Sequence, residues 1–320
     1  MILALVVCAC HRIAPGPRAY VSNERDGTIT VIDTINDRAI STITVGARPR
    51  GIRVSPDGKR VYVALSFSSE QTPGSINKIA AIDTATNTIV AKYDAGSDPE
   101  QFAVSRDGSR LYISNEDAGT VSVTDVNSAA VIATLVVGIE PEGVTISPNG
   151  RWVYVTAETS NSVSVIDTET NQIVATFLVG ARPRDAAFSP DGSVAYVTAE
   201  LGRTLSQVET KTHSVIKTTE LSRGDGVKPM GVVVSKDGQK IYVANGRAST
   251  VSVLRARDQE VLANIPVGRR VWGLAMTDDG KKIYAANGLS NDVSVIDTNS
   301  DRVIATILVG DGPWGITIKP

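Results

Sequence analysis

The chain has 320 residues, of which 42% are hydrophobic, so it is long enough to bury a substantial core. Its 32 basic and 34 acidic residues leave a net charge of −2, and only 5% of its residues are aromatic. Because it has neither a basic surplus nor stacking rings interleaved with basic runs, we do not expect it to bind nucleic acid.

The chain begins with a short apolar run at residues 2–10, which no basic residue precedes. The run is too short to span a bilayer as a helix and is similar to the apolar part of an export signal. We predict that residues 1–17 are an export signal or a loose N-terminus, and that the protein is periplasmic or secreted, with a lipoprotein form through Cys10 as an alternative. Both cysteines, Cys8 and Cys10, lie here, so the rest of the chain has no disulfide framework.

From residue 18 onwards, one phrase repeats seven times at spacings of 42 to 50 residues. Aligned on the tyrosine of an apolar alternation, the copies begin at Tyr20, Tyr62, Tyr112, Tyr154, Tyr196, Tyr242 and Tyr284. Each copy contains four segments of period 2, such as YVTAE (154–158) and SVSVIDT (162–168), which is the pattern of half-buried strands. Turn sequences such as SPDG (55–58) separate them, and no segment has a sustained helical period.

Four strands in about 42 residues are typical of one blade of a β-propeller. The first copy opens on the strand RAYVSN (18–23), and the last ends on WGITIK (314–319), a strand of the type that precedes it. We therefore predict an all-β, seven-bladed β-propeller of four-stranded blades, in which the C-terminal strand pairs with the N-terminal three. Residues 18–320 would form this single, monomeric domain. A linear solenoid would require polar capping repeats, and the end copies are ordinary.

The repeated phrases carry a family resemblance over residues 18–320. YVANG (242–246), YVTAE (154–158) and VSVIDT (293–298) resemble the YVTN repeat family of β-propellers. A narrower resemblance, to exported propellers associated with pyrroloquinoline-quinone-dependent catabolism, is carried by DPEQFAVSRDG (98–108), PEGVTISPNG (141–150), ARPRDAAFSPDG (181–192), RRVWGLAMTDDG (269–280) and NGLSNDVSVIDT (287–298). That resemblance implies a periplasmic protein that accompanies a quinoprotein alcohol or aldehyde dehydrogenase. It indicates a fold and a context more than a mechanism.

Strand polarity places the loops after the YV strands and after the VG pairs on one face of the propeller. The copies diverge on this face and agree on the other. At the position after the proline, or its replacement, the copies carry Arg50, Glu100, Glu142, Arg184, Met230, Trp272 and Trp314. At the position immediately before the proline, or its replacement, the copies carry Arg48, Asp98, Glu140, Arg182, Lys228, Arg270 and Gly312. Both insertions, 66–77 and 222–228, fall here too, so we expect these residues to ring the mouth of the central channel.

Two interpretations of this ring remain open. Arginines and carboxylates of alternate blades can form a solvated, salt-bridged rim of little energetic value. They can also form a polar funnel that binds a small anionic molecule, in which arginines bind a carboxylate or phosphate and Trp272 and Trp314 stack on a flat ring. The two tryptophans would otherwise be core wedges between blades. The candidate ligand-binding residues are Arg48, Arg50, Glu100, Glu142, Arg182, Arg184, Met230, Trp272 and Trp314.

Catalysis is the second function class. The chain has only His11 and His213, and we interpret His213 as a solvated turn residue, so no histidine triad or histidine zinc site is expected. The alternative function is a hydrolase of lactones, esters or phosphotriesters that uses calcium or another divalent cation at the channel mouth, by analogy with calcium-dependent propeller hydrolases. Its metal ligands would come from Glu24, Glu116, Glu158 and Glu200, with Asn23, Asn115, Asn245 and Asn287 nearby. No catalytic residue is assigned, and a third class, a scaffold for a quinoprotein partner, would use the insertion at 66–77.

Overall fold

A computed structural model describes residues 16–46, 48–67, 77–221 and 226–320. Within these ranges it contains 28 strands and no helix, and the strands form seven antiparallel sheets of four strands each. The all-β, seven-bladed propeller predicted from the repeat is therefore confirmed. Within the same ranges, no helix has the length and apolarity that crossing a membrane requires. The N-terminal segment 1–15 lies outside the described residues.

The strands follow one another through the blades in chain order. The first three blades contain β1 (Arg18–Asn23), β2 (Thr28–Asp33) and β3 (Arg38–Thr44); β4 (Arg48–Val54), β5 (Arg60–Ser66), β6 (Lys78–Asp83) and β7 (Thr88–Asp94); and β8 (Pro99–Val104), β9 (Arg110–Asn115), β10 (Thr120–Asp125) and β11 (Val131–Val136). The next two contain β12 (Pro141–Ile146), β13 (Trp152–Ala157), β14 (Ser162–Asp167) and β15 (Gln172–Leu178); and β16 (Pro183–Phe188), β17 (Val194–Ala199), β18 (Thr204–Glu209) and β19 (Ser214–Glu220). The last two contain β20 (Pro229–Val234), β21 (Lys240–Asn245), β22 (Thr250–Arg255) and β23 (Val261–Pro266); and β24 (Val271–Met276), β25 (Lys282–Asn287), β26 (Asp292–Asp297) and β27 (Arg302–Leu308). The final strand, β28 (Pro313–Lys319), returns to the first blade.

The two ends of the chain share one sheet. Strand β28 pairs antiparallel with β1, with Ala19 opposite Ile318 and Tyr20 opposite Thr317. This pairing joins the last strand to the first three, as the sequence predicts, and closes the ring. Closure leaves no long central edge for another chain to pair with, which is how propellers manage exposed strand edges.

The hydrophobic core lies between blades. Because side chains alternate along a strand, each sheet packs one face on the preceding blade and the other on the next. On β9, Leu111 and Ile113 pack with residues of the second blade, whereas Tyr112 packs with Val153 and Val155 of the fourth. The burial on both faces explains why the second strand of each blade is so uniformly apolar.

A second set of contacts joins neighbouring blades on the face that carries the SPDG turns, which we call the turn face. The Tyr112 hydroxyl donates a hydrogen bond of 3.3 Å to the side-chain oxygen of Asn171, and the Tyr242 hydroxyl donates one of 3.0 Å to Asp301. Asn171 and Asp301 have φ values of 53° and 51°, a left-handed conformation that Asn and Asp tolerate better than most residues. We call this contact the tyrosine clamp.

Besides Tyr196, whose hydroxyl donates a hydrogen bond of 3.3 Å to the main-chain oxygen of Ala256, two blades depart from the Asn or Asp acceptor. In one, His213 takes the acceptor position, and its Nδ1 lies 2.8 Å from the Tyr154 hydroxyl. His213 is thus a half-buried member of the clamp rather than a solvated turn residue, and burial lowers the pKa of its imidazole. In the other, Ala129 holds the left-handed position with no side-chain acceptor. No hydrogen bond from the Tyr62 hydroxyl is found among the described residues.

Candidate functional site

The channel wall is built from the first strand of each blade, and a bulge in these strands directs the side chains at the mouth. On β12, Pro141 lies opposite Ala157 and Val144 opposite Val155, so one extra residue is inserted after the proline. A bulge re-aims the side chains around it, which explains why the residues after the proline reach the mouth. We call the face on which they lie the rim face.

The residue two positions after the proline lies against the backbone of the next blade. A Cβ atom at Gly143 would stand 2.3 Å from the main-chain oxygen of Arg184, so the close approach of the strands requires glycine there. The position is glycine in five blades, as Gly51, Gly143, Gly231, Gly273 and Gly315. The third and fifth blades carry Gln101 and Asp185 instead.

One cluster on the rim face is centred on Arg184, whose side chain is only 10% exposed. Its guanidinium contacts the carboxylates of Glu142 and Glu158, and its Nη2 lies 2.6 Å from Glu200. Arg182 also contacts Glu158. We call this group the Arg184 cluster, and it brings together five of the residues that the sequence singles out.

Proton affinity differs between the two most buried carboxyl groups of this cluster. Burial raises the pKa of Glu142 well above its ordinary value, despite the charge of Arg184. Burial also opposes ionisation of Glu158, but a hydrogen bond from Glu142 and the charges of Arg184 and Arg182 hold its pKa below the ordinary value. Of the two carboxyl groups, Glu142 therefore has the higher proton affinity.

The second cluster is centred on Arg50, and we call it the Arg50 cluster. The Nε of Arg50 lies 3.0 Å from Glu24, and Nη2 of Arg48 lies 2.8 Å from the same carboxylate. Arg50 also contacts Glu100 and lies 3.8 Å from Glu116. Burial raises the pKa of Glu24, but the charge of Arg50 and the hydrogen bonds from both arginines outweigh it and lower the pKa overall.

Three carboxylates converge within the Arg50 cluster. Ligand oxygens of Asp98, Glu100 and Glu116 all lie within 4.8 Å of one another. Burial, and then the charge of Asp98, raise the pKa of Glu116 to about 7. The Arg50 guanidinium already faces this trio, at 3.8 Å from both Asp98 and Glu116.

The expected calcium ligands do not form one site. Glu24 belongs to the Arg50 cluster, whereas Glu158 and Glu200 belong to the Arg184 cluster, so arginines hold three of the four glutamates. Only Glu116 joins a carboxylate group of metal-binding geometry. Calcium takes six to eight oxygens, and the trio supplies three carboxylates beside a guanidinium. The four-glutamate set therefore does not fit a calcium ion.

The four asparagines considered with the glutamates lie inside the sheets. Asn23 donates to Thr28 and Thr30 at 3.0 and 2.9 Å, and Asn245 donates to Thr250 and Ser252 at 3.1 and 2.7 Å. Each is fully buried, since strand alternation turns it away from the channel. These amides join neighbouring strands of a blade and are not ligands at the mouth.

The opposite side of the mouth is aromatic. The rings of Trp272 and Trp314 stack with centroids 5.9 Å apart and an interplanar angle of 26°. The Arg270 guanidinium lies 4.9 Å from the Trp272 ring centroid, within cation–π range. Met230 is buried beside them. The tryptophans are thus both stacked neighbours and part of the channel wall.

Below the mouth, the channel contains a cavity of about 630 Å³. Its wall includes Trp272 and Trp314 above and Phe188 and Met276 below. A cavity of this size falls in the range of small-molecule sites, which are mostly apolar with a few placed polar groups. Here those polar groups include residues on the inner strands that sequence analysis did not select.

The residues missed by sequence analysis are Arg53, Gln101 and Asp185, which all line the cavity. Burial raises the pKa of Asp185 to about 6, although Arg53 and two backbone N–H groups oppose the rise. The sequence contains a signal for two of them, because Gln101 and Asp185 stand at the position where the other five copies have glycine. The insertions at 66–77 and 222–228 are outside the described residues for the most part, and their role stays a prediction.

Comparisons with known proteins agree with this architecture. A family model described as the choice-of-anchor I domain matches residues 13–184, more than half of the chain. A second, described as a seven-bladed β-propeller lactonase, matches residues 168–304. No curated protein matches the chain in sequence. These findings support a lactonase-like propeller, whereas the association with pyrroloquinoline quinone stays a prediction.

Solved structures with the same fold have different functions. Hydrazine synthase from Kuenenia stuttgartiensis superposes with a TM-score of 0.74 and 22% identity over 84% of this chain and 89% of its own. A candidate 6-phosphogluconolactonase from Bacteroides uniformis gives 0.78 and 18% over 95% and 100%. Another from Bacteroides fragilis gives 0.79 and 16% over 94% and 97%. At these identities the likeness shows the fold alone.

Proposed function

This chain belongs to the choice-of-anchor I domain family, and we propose that it is a propeller that binds a small organic molecule, which enters the central cavity from the rim face. The observation that carries this proposal is the cavity of about 630 Å³ beneath a mouth with one ion-paired side and one aromatic side. Both the size and the mixture of surfaces are those of small-molecule sites.

The contacts of the rim arginines favour a ligand that binds in the cavity below them, and not one that binds directly to their guanidinium groups. Arg50 and Arg184 are both largely buried, and each contacts at least two carboxylates. A guanidinium already held by carboxylates has little capacity left for an anionic ligand. The two clusters thus form a rigid half of the mouth in which the arginines are already engaged by carboxylates.

The aromatic half offers the contact area. Trp272 and Trp314 stack on each other at the mouth, and a flat ligand group can pack against Trp272, the less buried of the two. Met230 next to them is unbranched and adapts to different shapes. The first contact of an entering molecule is therefore with an apolar, polarisable wall.

Tryptophan fluorescence tests this proposal directly. The chain has three tryptophans, and Trp152 packs against His213 on the turn face, so a Trp152→Phe protein reports only on Trp272 and Trp314. We expect saturable quenching by at least one of pyrroloquinoline quinone, aromatic carboxylates or lactones. Replacing either Trp272 or Trp314 by Phe in this background should weaken the binding. A flat titration with every class would contradict the proposal.

A hydrolase is the second candidate function, favoured by the match to the lactonase family over residues 168–304. Glu116, with a pKa raised to about 7 by burial and by Asp98, has the proton affinity of a general base at neutral pH. In lactone hydrolysis such a base takes a proton from the attacking water. Hydrolysis of γ- and δ-lactones by the wild type, lost in Glu116→Gln and retained in EDTA, would support it. Activity unchanged in Glu116→Gln would remove Glu116 from this role.

We also propose that the protein is exported and accompanies a quinoprotein dehydrogenase, on the basis of the apolar run at residues 2–10 and the family resemblance. Cell fractionation of the full-length chain, with a cytoplasmic and a periplasmic marker, tests the location. Retention of the protein with the cytoplasmic marker would contradict export.

A further inference from the structure

Five charged side chains line the cavity, and their pairing differs. Arg184 and Glu142 contact each other in the Arg184 cluster. Lys236 lies 3.2 Å from Asp278 at the turn face. The other two, Arg53 and Asp185, have no oppositely charged group within 4.0 Å among the described residues. The interior of the channel therefore holds one cation and one anion without close partners.

Arg53 lies on β4, near the end of the channel away from the mouth. Its only hydrogen bond within the described ranges is a donation of 3.0 Å to the main-chain oxygen of Ile52. A guanidinium has five N–H donors in a planar fork, so most of its donors face the cavity unused. Burial lowers the pKa of Arg53, although Asp185 opposes the shift. Such a group is ready for an anionic partner.

Asp185 lies on β16, three blades from β4 in a ring of seven, and thus on the far wall of the channel. Its two oxygens accept hydrogen bonds from the N–H groups of Ala186, at 2.9 Å, and Val232, at 3.2 Å. These bonds hold the carboxylate in place and leave lone pairs for another donor. Asp185 is therefore positioned as an acceptor.

Gln101 adds a third polar group. Like Asp185, it occupies the position two residues after the proline, which is glycine in the other five blades. Its amide oxygen is buried with no hydrogen-bond partner among the described residues. Buried polar groups are nearly always satisfied in native proteins, so an unsatisfied one indicates a missing water or ligand. Thr145 and Arg53 also line the cavity, but neither forms a hydrogen bond with this oxygen among the described residues.

From this arrangement we infer that the interior of the channel binds a small hydroxylated carboxylate. Its carboxylate lies on the Arg53 fork, its hydroxyl donates to Asp185, and the Gln101 amide bonds a remaining polar atom. A guanidinium prefers a planar carboxylate through two parallel hydrogen bonds. The inference rests on the proposed binding function and moves the specificity-determining contacts from the rim to the inner strands.

The test uses the full chain and three matched probes: 3-hydroxybutyrate, butyrate without the hydroxyl, and 1,3-butanediol without the carboxylate. Calorimetry gives their affinities. Methyl NMR of labelled methionine gives their location, because Met230 lies at the mouth and Met276 on the inner wall. We expect 3-hydroxybutyrate to bind most tightly and to shift the Met276 signal.

The variants separate the two polar contacts. Arg53→Gln should lower the affinity for 3-hydroxybutyrate at least tenfold. Arg53→Lys should lower it less, because the positive charge is kept. Asp185→Leu, which removes both acceptor oxygens, should remove the preference for 3-hydroxybutyrate over butyrate. Arg38→Gln, at an exposed arginine on β3, is the matched control and should change nothing. Unchanged methionine spectra without ligand show that each variant is folded.

The outcomes also separate this inference from the proposed function. Binding that shifts only Met230 and is unaffected by Arg53→Gln would overturn the interior site and retain binding at the mouth. Equal affinity for 1,3-butanediol and 3-hydroxybutyrate would overturn the carboxylate assignment. No binding of any of the three probes, with quenching of Trp272 and Trp314 by another class, would overturn the ligand class and leave the proposed function in place.

Discussion

The hydroxyl of Tyr284, in the last blade, donates a hydrogen bond to the carboxylate of Asp37, in the first. Lys282 adds an ion pair to the same carboxylate at 2.7 Å. The tyrosine clamp thus joins the two ends of the chain in the same way as it joins consecutive blades. Closure of the ring rests on this contact as well as on the pairing of β28 with β1.

Removing the clamp hydroxyl at the closure should destabilise the protein. Tyr284→Phe leaves the Asp37 carboxylate with one partner fewer, and we expect a loss of about 1.5–3 kcal/mol, as for hydrogen bonds to charged groups. Tyr62→Phe is the matched control, because no hydrogen bond from the Tyr62 hydroxyl is found in the described part of the chain. Urea unfolding of both variants measures the difference, and equal losses would show that the clamp adds no stability.

Completing the interrupted clamp should have the opposite effect. Ala129→Asn places an acceptor at a left-handed position (φ 57°) that corresponds to Asn171, and Tyr62 packs near the same turn through Val126. We expect a gain of about 1 kcal/mol from the hydrogen bond, with a contribution from the better tolerance of Asn for this conformation. The gain should disappear when Tyr62→Phe is added, and Ala130→Asn, one residue on, should show no gain.

Replacing Arg184 by a neutral residue should destabilise the folded protein. Arg184→Met keeps much of the volume but leaves Glu142, Glu158 and Glu200 facing one another. We expect a loss of about 3–5 kcal/mol, because breaking a buried ion pair strands its charges. Arg182→Ala, at a side chain 42% exposed, should cost less than about 1 kcal/mol. Thermal melts compare the two, and a tolerant Arg184→Met would show that the glutamates are neutral.

Glu116 should make stability depend on pH. Its pKa in the folded protein is raised to about 7 from an ordinary value of 4.5, so the folded state binds the proton more tightly than the unfolded state. The contribution of the group to stability is therefore fully present below pH 4.5 and is lost as the pH rises towards 7. Glu116→Gln should raise the melting temperature at pH 8 and leave it unchanged at pH 4.

The control for this pH effect is Glu220→Gln, at an exposed side chain of β19. It should give the same melting temperature as the wild type at both pH values. A Glu116→Gln protein that is no more stable at pH 8 than at pH 4, relative to the wild type, would show that Asp98 and burial do not raise the Glu116 pKa.

Much of the architecture could be predicted because it depends on local periodicity. The alternation in VSVIDT (293–298) recurs in every blade, and the turn chemistry of SPDG (55–58) recurs in the six blades that the chain ends do not close. The four-strand count follows from these two patterns. The rim face could also be predicted, since strand polarity decides which loops meet. Pairings within the rim could not be predicted, because Arg50 and Arg184 each have carboxylates within reach on several loops.

The sequence by itself determined the number of blades, the position of the closing strand and the set of residues on the rim face, because each depends on the repeat and its period. Only the tertiary structure decided that arginines hold Glu24, Glu158 and Glu200, and that Arg53 and Asp185 face each other across a cavity without pairing. Except for Arg184 with Glu200, which both belong to the fifth blade, these relations join residues of different blades. Their distances depend on the curvature of the closed ring, which no single copy of the repeat contains.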